Sequence, residues 1–315
     1  MPNKPSPLML TCAILIFLVL STTARAQQAP LWTSPAFQVS AAAMLQSAAT
    51  VEKTKGYDVT VLLDDRSASI DEMGRMIQRF RLVYRIETNE GVKSWATVGL
   101  EWEPWHQKHP EVRARVITPD GVEHQLDPKT LSDAPARQDG GEVYVDTRVY
   151  RGPLPAMAVG AIVEEEETLQ DTEPVFPGGA LQRWYVGRVV PTIRTITTLE
   201  APAAAKLKYE IRLLPDAKVT KQEQGGRTRL IIDQGKMAPI EITDTNLPSE
   251  LPFWPQVEFS TVASWKQVAD TYRHLSEPQI RVEEVAQIVH ETIDAKDSRE
   301  EKIRKLTARL QKDIR

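Results

Sequence analysis

Val112-Arg113-Ala114-Arg115-Val116-Ile117 leads through Thr118-Pro119-Asp120-Gly121 into Val122-Glu123-His124-Gln125-Leu126, and this stretch decides the fold class. Its first half alternates apolar and charged residues, the period of a half-buried strand. Proline pre-sets the first turn angle and Gly121 accepts a positive φ, so a hairpin is predicted. The same grammar continues outward. Phe80 to Ile86 alternates too, and Asn89-Glu90-Gly91 reads as a turn into a partner strand from Val92 to Val98. Further strands are expected at 143–150, 161–169, 184–190, 193–199, 206–214 and 227–233, punctuated by Pro191 and Pro202. Many short strands without helical patterns between them predict a mainly β fold, an antiparallel β-sandwich region.

The period changes near Ser260. Ser264 is placed to cap a helix with Trp265, Val268, Ala269, Tyr272 and Leu275 on one face. A second helix is expected over 282–293. A third begins at Ser298, where Glu301 completes a capping box, and carries Ile303, Leu306, Leu310 and Ile314 as a stripe. The expected organisation is therefore a signal peptide at 1–26, a flexible leader at 27–50, a β-sandwich region at 51–260 (one unit or two packed subdomains), and a short C-terminal α-helical segment at 261–315.

The N-terminus carries Lys4, an apolar run from Leu8 to Leu20, and small residues at Ala24 and Ala26, which is the order of a secretory signal. The run is shorter than the roughly 20 apolar residues that span a bilayer. Cleavage after Ala26 and export to the periplasm or medium are expected, with no membrane span after signal removal. Cys12 lies inside the apolar run and is the only cysteine of the 315 residues. A mature chain starting at Gln27 would have no disulfide, no thiolate nucleophile and no cysteine metal ligand. A formal net charge of −4 gives no reason to expect nucleic acid as a partner. No cofactor is expected.

The most unusual local composition is Trp102-Glu103-Pro104-Trp105-His106-Gln107-Lys108-His109-Pro110. Trp102 and Trp105 with polar neighbours suit stacking on a sugar ring, and His106 and His109 suit a shared metal. Against this stands a plain turn whose tryptophans cover the edge of the core, and no third metal ligand is spaced nearby. Trp102, Trp105 and His106 are the candidate ligand surface. Glu164 to Glu167 follow Ala161-Ile162-Val163, and strand alternation sends two carboxylates to each face. Calcium-loop chemistry is missing, so a solvated strand end is expected. No Gly-x-Ser-x-Gly elbow occurs, and no catalytic residue is assigned.

The run Ala114 to Leu126, Leu154-Pro155 with Val159 to Glu164, and Phe259-Ser260-Thr261 with Ser264-Trp265 and Tyr272 together resemble a bacterial domain of unknown function. That domain precedes transglutaminase-like, papain-fold domains in exported proteins. The resemblance covers roughly 50–315 and implies a β-sandwich followed by the lead-in helices of the transglutaminase-like domain, whose catalytic core is absent from this chain. The leading expectation is a noncatalytic exported binding or scaffolding β-domain, the front half of a transglutaminase-like protein, with an unknown protein or cell-envelope polymer as partner. The alternatives are a free-standing envelope hydrolase using carboxylate or histidine residues, and a glycan-binding module.

Overall fold

The computed structural model describes residues 30–136, 146–177, 179–241, 252–280 and 282–313. In chain order its elements are α1 (Ala41–Ala49), β1 (Val59–Ile70), β2 (Met76–Ile86), α2 (Asn89–Ser94), β3 (Thr97–Trp102), β4 (Glu111–Ile117), β5 (Glu123–Gln125), β6 (Ser132–Pro135) and β7 (Arg148–Pro153). There follow β8 (Ile162–Gln170), β9 (Leu181–Tyr185), β10 (Thr195–Pro202), β11 (Lys208–Arg212), β12 (Lys218–Gln224), β13 (Arg227–Gln234), β14 (Gln256–Ser260), α3 (Trp265–Ser276), α4 (Val282–Thr292) and α5 (Arg299–Asp313). The fold is mainly β, with a short helical segment at the C-terminal side.

One sheet of eight strands, ordered β12-β13-β10-β1-β2-β8-β4-β5, forms the centre. Its pairings are antiparallel except β1 with β10, which run parallel. Two three-stranded sheets, β3-β7-β6 and β11-β14-β9, pack side by side on one face. Under the first lie Val59, Tyr84, Val98, Val116 and Val163. Under the second lie Ile70, Trp184, Leu199, Ile232 and Phe259. The opposite face of the large sheet buries Leu62, Leu63, Val83 and Ile162 against Trp32 and Met44 of the N-terminal segment. A register shift in β1 between Val61 and Leu63 lets Leu62 and Leu63 both join this third cluster and returns Asp64 to the first face.

The hairpin at 112–126 forms as expected, with β4 against β5 and Gly121 at φ 88° in the turn. The hairpin expected at 80–98 does not form. Thr88 accepts a hydrogen bond from the Gly91 amide and caps α2, and β3 then leaves the large sheet to pair with β7. The strand expected at 184–190 lies at 181–185, the length over which it pairs with β14, and Arg188 beyond its end pairs with Asp64.

A second correction concerns the leader. Residues 30–50, within the segment read as flexible, carry a capped helix, and Trp32, Met44 and Ala48 are buried. An alanine-rich helix with so few apolar side chains shows little periodicity, yet Met44 and Ala48, with Trp32 ahead of the helix, pack on Leu62, Leu63, Val83, Ile117 and Ile162 of the sheet. The signal peptide, the first leader residues and Ile314 lie outside the described residues.

Candidate functional site

Alternation along β2 places Met76, Gln78, Phe80, Leu82 and Tyr84 on the face carrying the two small sheets. On β8, Val163, Glu165, Glu167 and Leu169 share that phase. Polar residues interrupt the apolar series between the two cores, and two clefts open along this seam.

The larger cleft, about 570 Å³, contains the residues singled out in the sequence. Trp102 ends β3, is buried, and donates its indole N–H to Asp133 at 3.1 Å. Trp105 is 49% exposed; its Nε1 donates to Glu103 Oε2 at 2.8 Å. His106 is buried beneath it, ring centroids 4.2 Å apart. Its Nε2 lies 3.2 Å from Glu103 Oε2 and its Nδ1 3.7 Å from Asp171 Oδ1. Burial raises the Asp171 carboxyl, opposed by the Met76 amide that donates to it and by His106. The suggested His106–His109 metal pair does not form: the His109 ring packs between Trp102 and Tyr150. Among the described residues no group of three or more His, Cys, Asp or Glu converges as a metal site would require.

Three lining residues that sequence reasoning missed are Gln78, Asp171 and Trp184. Gln78 Oε1 and Trp184 Nε1 are buried and have no hydrogen-bond partner. Gln78 was detectable, being a polar residue in the apolar phase of an alternating strand.

The second cleft, about 360 Å³, is lined by Asp64, Arg66, Tyr84, Glu165, Glu167 and Arg188, with Trp95 and Gly99 opposite. Burial, then the charge of Glu167, pushes Glu165 up to about 8, against Arg188 and the Tyr84 hydroxyl, which donates at 3.4 Å. Burial likewise pushes Glu167 up to about 7, against the Gly99 amide and Arg188. Gly99 sits at φ 150°, and a Cβ there would collide with Tyr150 and Arg151, so both backbone and space call for glycine. Asp64 behaves differently. Burial opposes its charge, but Arg188 and Arg66 outweigh burial and hold its carboxyl below the usual range.

Glu164 and Glu166 point to the other face, as alternation demands, but the solvated strand end expected here is not found. Glu164 is fully buried, with Arg81 at 2.5 Å and Arg115 at 2.6 Å, and also accepts from the Phe37 amide. Glu166 pairs with Arg113. A hydrolase built on Glu165, Glu166 and His106 would need them in one cleft, and they are divided between two clefts and the opposite face.

A family model described as a domain of unknown function with solved structure, DUF3857, matches residues 72–241. Among solved structures, one described as a "putative protease" from Parabacteroides distasonis superposes with a TM-score of 0.69 at 12% identity, covering 81% of this chain and 50% of that one. This likeness is one of fold. An M1 zinc metallopeptidase from Deinococcus radiodurans gives a TM-score of 0.35 at 12% identity over 64% of this chain and 42% of that one, and carries no argument. The chain thus spans half or less of the length of these two proteins. No curated protein matches.

Proposed function

The chain belongs to the DUF3857 family, and we propose that it is a noncatalytic, exported binding or scaffolding β-domain that serves as the front half of a transglutaminase-like protein. The observation that carries this reading is the exposed apolar surface of the C-terminal helices. Trp265 is 82% exposed and Tyr272 71%, and Val285, Ile288, Ile303 and Leu310 continue the series along α4 and α5. Amphipathic helices expose such stripes when another surface is meant to cover them. From the resemblance of this region to lead-in helices, we read that surface as belonging to a following transglutaminase-like domain. Acyl transfer by that chemistry needs a thiolate, and the only sulfhydryl of the sequence, Cys12, falls in the apolar N-terminal run. The β-domain would then hold and present its neighbour, and itself bind an envelope polymer or protein.

Hydrogen exchange on the purified chain tests the scaffolding role. Weak protection across Ile303 to Leu310 is expected in the monomer, because an isolated helix of this length is marginal in water. Strong protection there would mean that the β-domain already covers the stripe, and would overturn it. Export is tested separately by the intact mass of the secreted protein, expected to begin at Gln27.

A further inference from the structure

We propose that the seam between the two small sheets binds an extended, basic peptide segment, which adds as a strand to the free edge of β9. Backbone direction locates that edge. In an antiparallel pair every second residue turns its N–H and C=O toward the partner strand, and the residues between turn theirs away. The Thr261 amide donates to the Ala180 carbonyl and the Val186 amide to the Pro255 carbonyl, so the even-numbered residues of β9 face β14. Leu181, Arg183 and Tyr185 therefore present their backbone groups on the opposite side, where β9 ends its sheet.

That side faces the seam. Arg66, which lines the smaller cleft, donates to the Tyr185 carbonyl at 2.6 Å. Across the seam β3 also ends its sheet. The Leu154 amide donates to the Ala96 carbonyl, so Gly99 and Glu101 turn their backbone groups away from β7, and Glu167 accepts from the Gly99 amide. Side chains of the large sheet thus bond to both strand edges at the smaller cleft. Beside the larger cleft, the N–H and C=O of Leu181 and Arg183 have no partner among the described residues. An edge of this kind is a template for strand addition, in which main-chain bonds supply affinity and neighbouring side chains supply selectivity. β9 is poorly guarded against it: the strand contains no proline, pairs with β14 without a bulge, and has its charged residue, Arg183, paired with Glu258.

Charge selects the occupant. Glu101, Glu103 and Asp171 line the larger cleft, and no lysine or arginine does among the described residues. A segment bearing lysine or arginine meets opposite charge there, and an acidic one meets repulsion. Trp105, half exposed and oriented by its bond to Glu103, offers an indole face to a cationic side chain. A peptide on β9 would be the protein partner in the binding role proposed above, and rests on that role. Exchange across Ile303 to Leu310 and peptide binding at β9 are measured separately, so either fails without the other.

Calorimetric titration of the full chain at low salt tests the site with acetyl-Lys-Val-Lys-Val-Lys-Val-amide, its counterpart with glutamate in place of lysine, and the basic peptide with its backbone amides N-methylated. Saturable binding of the basic peptide is expected, with the acidic and N-methylated peptides at least about tenfold weaker. Arg183→Pro removes an outward N–H without breaking the ladder to β14, and should weaken the basic peptide at least about tenfold. Arg183→Ala keeps that N–H and should leave the affinity within about threefold. Glu101→Lys, at an exposed position of the cleft, should weaken the basic peptide as well. If Arg183→Pro does not fold, the N-methylated peptide decides. No binding of the basic peptide, equal binding of the acidic or N-methylated peptide, or equal affinity in Arg183→Pro and Arg183→Ala would each overturn the assignment.

Discussion

Glu164 and Glu165 are neighbours in one acidic run, yet the two faces of the sheet treat them in opposite ways. Glu164 is the more deeply buried, but β2 and β4 bring Arg81 and Arg115 against it and the N-terminal segment adds the Phe37 amide. Glu165 faces the seam between the two small sheets, with the Tyr84 hydroxyl as its hydrogen-bond donor, and Glu167 beside it adds like charge. Burial alone therefore does not decide the state of a carboxylate; the partners that arrive with burial do. On one face the run is an anchor. On the other it is a place where charge is disfavoured and a cleft persists.

The contrast is most exposed to failure at Glu164. Glu164→Gln keeps the shape but leaves the buried Arg81 guanidinium without its ion-pair partner and Arg115 with Glu123 alone, a change expected to cost about 3–5 kcal/mol. Urea denaturation at pH 7 measures it, and a loss below about 1 kcal/mol would mean that the anchor is not one. The cover of that face is tested next. Trp32 is buried against the sheet, and Trp32→Ala should cost about 3–5 kcal/mol through the cavity it leaves. A truly loose leader would show almost no change.

These two effects also mark what the sequence could and could not disclose. Thr118-Pro119-Asp120-Gly121 specifies its hairpin locally, so that hairpin was readable. Asn89-Glu90-Gly91 carries turn residues as well, but Thr88 caps them into a helix, and only the pairing of β3 with the distant β7 decides between the two. The central strand β1 is not legible in the sequence because Asp64-Asp65-Arg66-Ser67 breaks its apolar alternation. Asp64 and Arg66 line the seam and pair with each other there. Alternation correctly sent two glutamates to each face of β8. It said nothing of Arg81 and Arg115, which come from strands far away in sequence. Likewise Trp102, Trp105 and His106 stood out by composition, whereas Asp171 and Trp184 reach the same cleft only through sheet packing.

The seam face gives a smaller effect with a distinctive pH signature. Glu165 is raised from 4.5 to about 8, so the folded state holds its proton more tightly than the unfolded state. The sign follows: the native protein is favoured below the unfolded value, and stability falls as pH rises from about 4.5 toward about 8. Glu165→Gln removes that loss. Because the side chain is partly exposed, the gain is expected on the order of 1–3 kcal/mol at pH 8.5, below the full linkage value, and near zero at pH 4. Thermal denaturation at the two pH values measures it. A variant that is equally destabilised at both would place Glu165 among paired, charged carboxylates and erase the difference between the faces.

Glu166 should give the smallest effect, and it separates pairing from burial. It shares the face of Glu164 and pairs with an arginine, Arg113, but 62% of the Arg113 side chain is exposed. Water already solvates that guanidinium, so the ion pair replaces hydration rather than adding to it, and screening by salt reaches it. Glu166→Gln is therefore expected to cost less than about 1 kcal/mol, with the difference shrinking further at about 1 M salt. Glu164→Gln should keep most of its effect in the same salt, since ions cannot enter the buried Arg81–Glu164–Arg115 cluster. Paired urea titrations at low and high salt read both variants together. If Glu166→Gln proved as costly as Glu164→Gln, an arginine partner alone would set the worth of these carboxylates. A low cost for Glu166 beside a high one for Glu164 would show that it is the buried, fully partnered geometry that makes the anchor.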